Sequence, residues 1–362
     1  MAAVALLALA SGVSAVSNTL ASSQNNTNGS SFVWTISDTY AGNTFFDAFD
    51  FFTGPDPTNY TTKDFAFANG LAFVENGTVV MKGDNTSELQ SGTFRNSVRI
   101  SSQKLYNSGL FILDLNKAPW GCGVWPAWWT VGPNWPQGGE IDIIEGVHDN
   151  EHNQVTWHTG PNCTLSPNAS FTGTVAVHGH PNVVCNGLAD GNAGCAIIEW
   201  SRASYGPTFD AAGGGVFAMK WDDTGISVWS FYRALVPEDI QAGQPEPDTW
   251  GVPVAYLAPS LCNPMTNFVN HSIVFDITFC GDWAGNSYAT SGCPGTCSDR
   301  LMDPANFVNA SWSINHMKVY KRVTLSRPSN GSVSGGLSTT PVFGLILSCV
   351  TAIILSLGIL SV

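Results

Sequence analysis

Charged side chains are scarce in this sequence, and most of those present are acidic. Asp, Glu, Lys and Arg make up 11% of the 362 residues, with 14 basic residues against 27 acidic ones and a formal charge of −13. Nucleic-acid backbones and anionic lipid surfaces are bound by positively charged patches, so neither is an expected partner. The apolar fraction of 44% is that of an ordinary packed core. A neutral ligand suits this composition better.

Long stretches of helical periodicity are also missing, and no internal repeat is evident. Short β-branched and aromatic runs fill residues 32–325 instead, separated by Gly, Pro, Asn and Asp. Asn76-Gly77 lies between two such runs, which is a strong hairpin signal. The pattern predicts an all-β fold, a two-sheet jelly-roll sandwich, built as one catalytic domain without an internal linker.

The two ends of the chain are apolar and are not expected to belong to this domain. Residues 1–15 lack a basic start but end in small residues, which favours a cleaved signal peptide, and residues 16–31 are predicted to form a flexible polar leader. Residues 326–340 form a small, polar spacer before an uncharged tail, residues 341–362. We expect the tail to be a glycosylphosphatidylinositol (GPI) attachment signal, with a transmembrane anchor as the alternative.

The cysteine count favours an oxidising compartment. One of nine cysteines, Cys349, lies in the tail, and the remaining eight form an even set that predicts four disulfides. Cys185 and Cys195 flank a Gly/Asn/Asp-rich loop and are the pair we expect first. Cys293 and Cys297 have the spacing of a metal site, but no His lies close by and disulfides are favoured there. Secretion to the extracellular space, the cell surface or the cell wall is therefore expected.

The segment "GGEIDIIEGVHDN", residues 138–150, places three acids in a run that otherwise predicts a buried strand. Side chains alternate along a strand, so Glu140 and Asp142 share one face while Glu145 would point to the other. A β-bulge within Ile143-Ile144 would return Glu145 to the same face. The two Glu residues would then be about 13 Å apart at Cα, and their carboxyls could approach to about 5–5.5 Å, the spacing of retaining glycosidases.

Two other interpretations of the acids are weaker. Calcium ligands usually come from loops that wrap the ion. An exposed acidic edge strand would not alternate with isoleucine. The pattern favours catalysis by paired carboxylates.

The longer segment "GVWPAWWTVGPNWPQGGEIDIIEGVHDN", residues 123–150, resembles the signature of glycoside hydrolase family 16, in its fungal laminarinase-type endo-β-1,3(4)-glucanase branch. The similarity extends over residues 37–323 and includes "RNSVRI", "HTGPNC" and "TFCGDWAG". It implies a concanavalin-like sandwich with a concave substrate cleft and cleavage with retention. It also implies that Glu140 is the nucleophile, Glu145 the general acid/base and Asp142 the assisting carboxylate between them.

Aromatic residues are the expected platforms for a neutral sugar. Strand parity in "VWPAWWT" puts Trp125 and Trp129 on one face and Trp128 on the other, where Trp128 is expected to enter the core.

The family resemblance adds candidate substrate-binding residues. It makes Trp129 and Trp135 platforms on the glycone side, and Trp283 a platform beyond the cleavage point. It places His158 near the acids, where it would hydrogen-bond the acid/base or the substrate. Arg99 alternates with apolar neighbours and is expected to reach the cleft.

The expected function is a secreted or surface-anchored retaining endo-β-1,3(4)-glucanase that hydrolyses laminarin-type and mixed-linkage glucans. A cell-wall glucan transglycosylase is a close alternative because the same residues serve both reactions, and a non-catalytic lectin-like module is a further one. We expect β-glucan as partner, no nucleic acid, membrane contact only through the C-terminal anchor, a monomer, and no cofactor or metal.

Overall fold

The computed structural model describes residues 24–25, 31–55 and 58–325. The predicted signal peptide, nearly all of the leader, the spacer and the hydrophobic tail lie outside these residues. Within the described ranges, no helix has the length and apolar character needed to cross a membrane.

Strands make up most of the described chain. The first eleven are β1 Gln24–Asn25, β2 Ser31–Ala41, β3 Phe49–Phe51, β4 Gly54–Pro55, β5 Thr58–Tyr60, β6 Ala72–Glu75, β7 Thr78–Lys82, β8 Arg95–Ser97, β9 Arg99–Ser102, β10 Gly109–Lys117 and β11 Val124–Val131. The others are β12 Glu140–Glu145, β13 Gln154–His158, β14 Thr174–Val175, β15 Val177–His178, β16 His180–Pro181, β17 Cys195–Ile198, β18 Gly215–Asp222, β19 Gly225–Tyr232, β20 Ala255–Leu257, β21 Ser272–Phe279 and β22 Ser311–Thr324.

Helices are short and lie in the connections. The α-helices are α1 Lys63–Ala68, α2 Gly206–Ala211, α3 Glu238–Gln241, α4 Pro264–Asn267 and α5 Cys297–Arg300. Short 3-10 segments occupy Gly42–Ala48, Asp190–Asn192, Arg233–Leu235, Pro247–Thr249, Tyr288–Thr290 and Pro304–Phe307, and a π-helical turn spans Gly281–Gly285.

Two antiparallel sheets form the sandwich. One has nine strands in the order β1-β2-β22-β10-β18-β19-β20, with the β6–β7 hairpin joined to β22. The other has eight strands in the order β14-β17-β13-β12-β11-β21-β9-β3, and it carries the acidic strand β12 near its centre. The predicted all-β jelly-roll sandwich is confirmed, as is the Asn76-Gly77 turn between β6 and β7.

The core lies between the sheets because inward residues alternate with outward ones. On β10, Phe111 and Leu113 enter the main core, where they join Trp128 and Phe275 of the opposite sheet. The three isoleucines of β12 are fully buried in the same core. Burial of these side chains fixes the position of the strand whose other face carries the acids.

The ends of the described domain meet on the nine-stranded sheet. Strand β22 pairs with β2 from Phe32 opposite Thr324 to Ala41 opposite His316, and the Leu325 N–H donates to the Ser31 carbonyl at 2.7 Å. Gln24–Asn25, within the segment expected to be a flexible leader, pair with the start of β2.

Four disulfides form between the eight cysteines that lie outside the C-terminal tail. The prediction of four bridges is confirmed, and so is the Cys185–Cys195 pair. Cys293 and Cys297 are bonded to different partners, which excludes a metal site built on their thiolates. The other pairs are Cys122–Cys293, Cys163–Cys262 and Cys280–Cys297.

Candidate active site

A β-bulge brings the three acids of β12 to one face. Against β11, Trp129 pairs with Asp142 and Trp128 pairs with Ile144, so Ile143 is the extra residue and has no partner of its own. Glu145 lies opposite Ala127 beyond the bulge. The predicted bulge within Ile143-Ile144 is therefore confirmed, and Glu140, Asp142 and Glu145 point away from the isoleucine-filled core.

Each outer acid accepts a hydrogen bond from a tryptophan. The Trp135 indole N–H donates to Glu140 Oε2 at 2.5 Å, and the Trp125 indole N–H donates to Glu145 Oε1 at 2.8 Å. Asp142 between them is almost completely buried. Two neutral donors thus fix the orientation of the outer carboxyl groups without neutralising them.

Burial raises the pKa of all three carboxyls. Burial raises the pKa of Glu140 to about 8, and the charge of Asp142 adds to the effect. The pKa of Glu145 is raised well above its ordinary value, again by burial first and by Asp142 second. Because the pKa of each carboxyl is raised, the cluster retains protons at neutral pH.

His158 lies beside the acid cluster on the neighbouring strand. It is directly opposite Glu140 in the β12–β13 ladder, and its Nε2 is 3.4 Å from Asp142 Oδ2. The side chain therefore contacts Asp142, whereas the resemblance predicted a hydrogen bond to Glu145 or to the substrate. Gly194 has φ +60°, and a Cβ at this position would lie 2.7 Å from the His158 imidazole Cε1. Residue 194 must therefore be glycine to leave room for the His158 ring.

Donor atoms of Glu140, Asp142 and His158 lie within 4.8 Å of one another. Among the described residues, these three side chains have the spacing of a metal site. Two carboxylates and an imidazole would suit a divalent transition metal. The same three side chains belong to the acid cluster, so any ion there would occupy the candidate active site.

The predicted alternation of the tryptophans on β11 is confirmed. Trp128 is fully buried and stacks on Phe275 with ring centroids 6.2 Å apart. Trp129 lies on the acid-bearing face, where its indole N–H donates to Asp276 Oδ2 at 3.0 Å. The Arg99 guanidinium lies 4.9 Å from the centroid of the Trp129 ring. Arg99 thus holds the Trp129 ring through a cation–π contact on the acid-bearing face.

The remaining tryptophans divide between the two outer acids. Trp135 is 40% exposed and lies beside Glu140. Trp283 packs edge-on against Trp125, with ring centroids 6.0 Å apart, and Trp125 in turn bonds Glu145. The structure therefore places Trp135 and Trp283 at opposite acids.

Three residues of the site were not singled out from the sequence. Trp125 shares the face of Trp129 by strand parity, and that parity was the available signal. Asp276 is a lone acid within the apolar strand "SIVFDITF"; burial raises its pKa to about 6 while Arg99 opposes the shift. Asn153 is fully buried and bonds the backbone of the bulge residue Ile143 and of Glu145. No sequence pattern marked Asn153, because its role depends on where two strands stop pairing.

A two-sheet sandwich with clustered, partly protonated acids between tryptophans on one sheet defines a β-jelly-roll glycoside hydrolase. The family model described as the XgeA-like, catalytic GH16 domain matches residues 49–320. The chain belongs to glycoside hydrolase family 16.

Curated relatives and solved structures agree with this assignment. A probable glycosidase of Schizosaccharomyces pombe is 43% identical over 289 residues, which cover 78% of this chain and 68% of the relative. A probable endo-1,3(4)-beta-glucanase of Aspergillus niger is 41% identical over 300 residues, covering 78% of this chain and 39% of the relative. The chain thus spans about two thirds of the first relative and less than half of the second.

Two solved structures align over their entire length with 80% of this chain. Laminarinase 16A from Phanerochaete chrysosporium, with 6-O-glucosyl-laminaritriose in both donor and acceptor sites, has a TM-score of 0.76 and 38% identity. An elongating family 16 β-1,3-glucosyltransferase has a TM-score of 0.74 and 37% identity.

Proposed function

We propose that this protein is a retaining endo-β-1,3(4)-glucanase that hydrolyses laminarin-type and mixed-linkage glucans. The observation that carries the proposal is the bulge at Ile143, which aligns Glu140, Asp142 and Glu145 on one face with an indole donor on each outer acid. A binding module would have no use for a buried, mutually repelling cluster that destabilises its own fold.

The proposed reaction proceeds by double displacement. Glu140 attacks the anomeric carbon and forms a glycosyl ester, while the glycosidic C–O bond breaks and Glu145 gives its proton to the leaving oxygen. Glu145 then removes a proton from water, the resulting hydroxyl attacks the anomeric carbon, and Glu140 leaves as carboxylate. Two inversions restore the β-configuration.

The surroundings of each acid suit its proposed role. Trp135 donates a hydrogen bond that stabilises the ionised nucleophile Glu140 and the carboxylate that departs from the ester. Burial and the charge of Asp142 keep a proton on Glu145 until the leaving group takes it. Asp142 lies between the two and is contacted by His158, so it can share a proton with Glu140 as charge moves.

The substrate class follows from the tryptophans and from the relatives. Trp129 and Trp135 offer indole faces for the apolar C–H faces of glucose on the Glu140 side, and Trp283 offers one on the Glu145 side. Two of the similar proteins are named an endo-1,3(4)-beta-glucanase and a laminarinase. Both support a β-1,3-linked or mixed-linkage glucan as substrate.

Stereochemistry tests the proposal directly. Proton NMR during laminarin hydrolysis is expected to show the β-anomer of the product first, with the α-anomer growing in by mutarotation. An α-anomer at the earliest time would contradict double displacement, and no products from laminarin, lichenan or barley glucan would contradict the glucanase assignment.

Transglycosylation is the second candidate, because an elongating β-1,3-glucosyltransferase shares this architecture. In that reaction a sugar hydroxyl replaces water in the second step, and the same residues act. Product profiles at high laminari-oligosaccharide concentration separate the two: hydrolysis gives only shorter products, whereas transfer gives longer ones.

We also propose that the protein passes through the secretory pathway and reaches the cell surface or wall through a GPI anchor. The four disulfides support an oxidising compartment. Release of the native protein from membranes by phosphatidylinositol-specific phospholipase C is the expected result. A peptide from residues 341–362 in the mature surface protein would instead indicate a transmembrane anchor.

A further inference from the structure

The ladder between β12 and β13 stops before it reaches the acid/base. Paired residues are Glu140 with His158, Ile141 with Trp157 and Asp142 with Thr156. Beyond Asp142 the backbone of β12 has no β13 partner. Buried backbone N–H and C=O groups that lose a ladder partner need another one, because an unpaired buried polar group is costly.

The side chain of Asn153 supplies the missing partners. Its Nδ2 donates to the Ile143 carbonyl at 2.8 Å, and its Oδ1 accepts from the Glu145 N–H at 2.9 Å. Ile143 is the extra residue of the bulge and Glu145 is the proposed acid/base. One amide group therefore bonds both the carbonyl of the bulge residue and the N–H of Glu145, two residues further along the strand.

Asn153 is itself held rigidly. It is fully buried, its N–H donates to Ser204 Oγ at 3.0 Å, and its carbonyl accepts from the Glu199 N–H at 2.9 Å. The Ser204 hydroxyl donates in turn to the Ser201 carbonyl at 2.7 Å. Main-chain bonds on both sides leave the amide side chain little freedom to leave the bulge.

We propose that Asn153 is a positioning residue that holds the bulge in its productive form and thereby sets the direction of the Glu145 carboxyl. The proposal rests on the assignment of Glu145 as acid/base under the proposed function. A donor and an acceptor on one short planar group are both required. Aspartate keeps only the acceptor, and alanine keeps neither.

The chemistry predicts a selective loss. Glu140 and Asp142 lie on the part of β12 that still pairs with β13, so nucleophilic attack is retained when the bulge loosens. Protonation of the leaving group depends on Glu145, and misplacement of a catalytic group by about 1 Å costs on the order of 100-fold. Substrates with a good leaving group need little protonation and are largely spared.

The test compares kcat/KM on laminarin and on a 2,4-dinitrophenyl β-laminaribioside for Asn153→Ala and Asn153→Asp. Asn153→Ala is expected to lose at least about 30-fold on laminarin and less than about threefold on the aryl glycoside, because only the first needs full protonation. Asn153→Asp adds a negative charge near Glu145, so the basic limb of its pH profile is expected to move to higher pH.

Asn315→Ala is the matched control, since it also removes an amide with bonds to two side chains, Asp114 and Asn116, but on the other sheet. It is expected to leave the ratio of the two substrates unchanged. Equal losses on both substrates for folded Asn153 variants, or no loss, would overturn the proposal.

Amide hydrogen exchange on the wild-type protein keeps the proposal testable if the variants do not fold. The Glu145 N–H is expected to exchange as slowly as the ladder amides of Ile141 and Trp157, and fast exchange would overturn the proposal. A wild-type protein inactive on both substrates would contradict the proposed function, and the exchange result would still decide whether the backbone at the bulge is held.

Discussion

Glu140 and Glu145 carry the same carboxyl group in different surroundings. Glu140 is bonded by the half-exposed Trp135 and faces Asp142 and His158, whereas Glu145 is bonded by Trp125. Both pKa values are raised by burial. The distinct neighbours predict distinct consequences when each acid is removed.

Removal of Glu140 should abolish the first chemical step. Glu140→Ala is expected to lose about 10⁴-fold or more in kcat on every β-glucoside, since no nucleophile remains. Added azide should fill the vacated space and give the α-glycosyl azide by a single inversion, which thin-layer chromatography and NMR identify. Absence of rescue together with unchanged activity would show that another group attacks the anomeric carbon.

Removal of Glu145 should depend on the leaving group. Glu145→Ala is expected to keep most of its kcat/KM on dinitrophenyl glycosides and to lose on the order of 100-fold or more on laminarin. Glu75→Ala changes an exposed acid at the β6–β7 turn and is expected to match the wild type. If Glu145→Ala loses both substrates equally, the roles of the two acids are misassigned.

Strand parity explains why so much of the site could be read from the sequence. Alternation alone separated Trp129 from Trp128 and showed that Glu145 needs a bulge to join Glu140. Asp276 and Asn153 could not be predicted from the sequence. Asp276 bonds Trp129, which is 147 residues away in the chain, and Asn153 bonds the backbone at the bulge. Such contacts are set by sheet order, which local patterns do not contain.

At the level of elements, β12 is a regular strand with one residue added. Without Ile143, Asp142 and Ile144 would become neighbours opposite Trp129 and Trp128, and the ladder with β11 would be continuous. Glu140 and Glu145 would then be four positions apart and still share a face.

Two single-residue deletions test this geometry. Deletion of Ile143 is expected to give a folded protein with measurable laminarin hydrolysis, because parity between the acids is kept. Deletion of Ile141 removes an equally buried isoleucine but turns Glu140 to the opposite face from Asp142, and no activity is expected. Circular dichroism and thermal melts report folding. Activity in the second deletion but not in the first would contradict the bulge as the device that aligns the acids.

Elements bounded by local signals were predictable, and long-range connections were not. The β6–β7 hairpin is closed by the Asn76-Gly77 turn, and the Cys185–Cys195 bridge spans a sequence separation of 10 across a loop rich in Gly and Asn. The Cys122–Cys293 bridge joins residues 171 positions apart, and eight cysteines allow about 105 pairings from sequence alone.

At the scale of the whole molecule, the buried acids make stability depend on pH. The pKa is raised to about 8 for Glu140 and Asp142 and to about 7 for Glu199, in each case by burial first. The folded state therefore holds protons that the unfolded chain has released, and stability falls as pH rises toward these values. His271, whose pKa burial lowers to about 4, acts in the opposite sense only below its ordinary value of 6.5.

Melting temperature is therefore expected to fall by about 3 °C or more between pH 6.5 and pH 9. The double variant Glu140→Gln/Asp142→Asn carries no ionisable group at these two positions, and its melting temperature should vary less with pH and exceed that of the wild type at pH 9. Identical slopes for the two proteins would show that the acid pair does not titrate in this range. Differential scanning calorimetry in matched buffers measures both.

Strand β22 has a consequence for biosynthesis. Its 14 residues pair with β2, β7 and β10, and all three are translated long before Ser311 leaves the ribosome. Until then the nascent chain exposes the β7 and β10 edges that β22 will cover, and such edges invite pairing with other chains. The nine-stranded sheet closes only once the last strand has emerged, so folding of this domain is completed after translation of Thr324 and needs protection from aggregation in the interval.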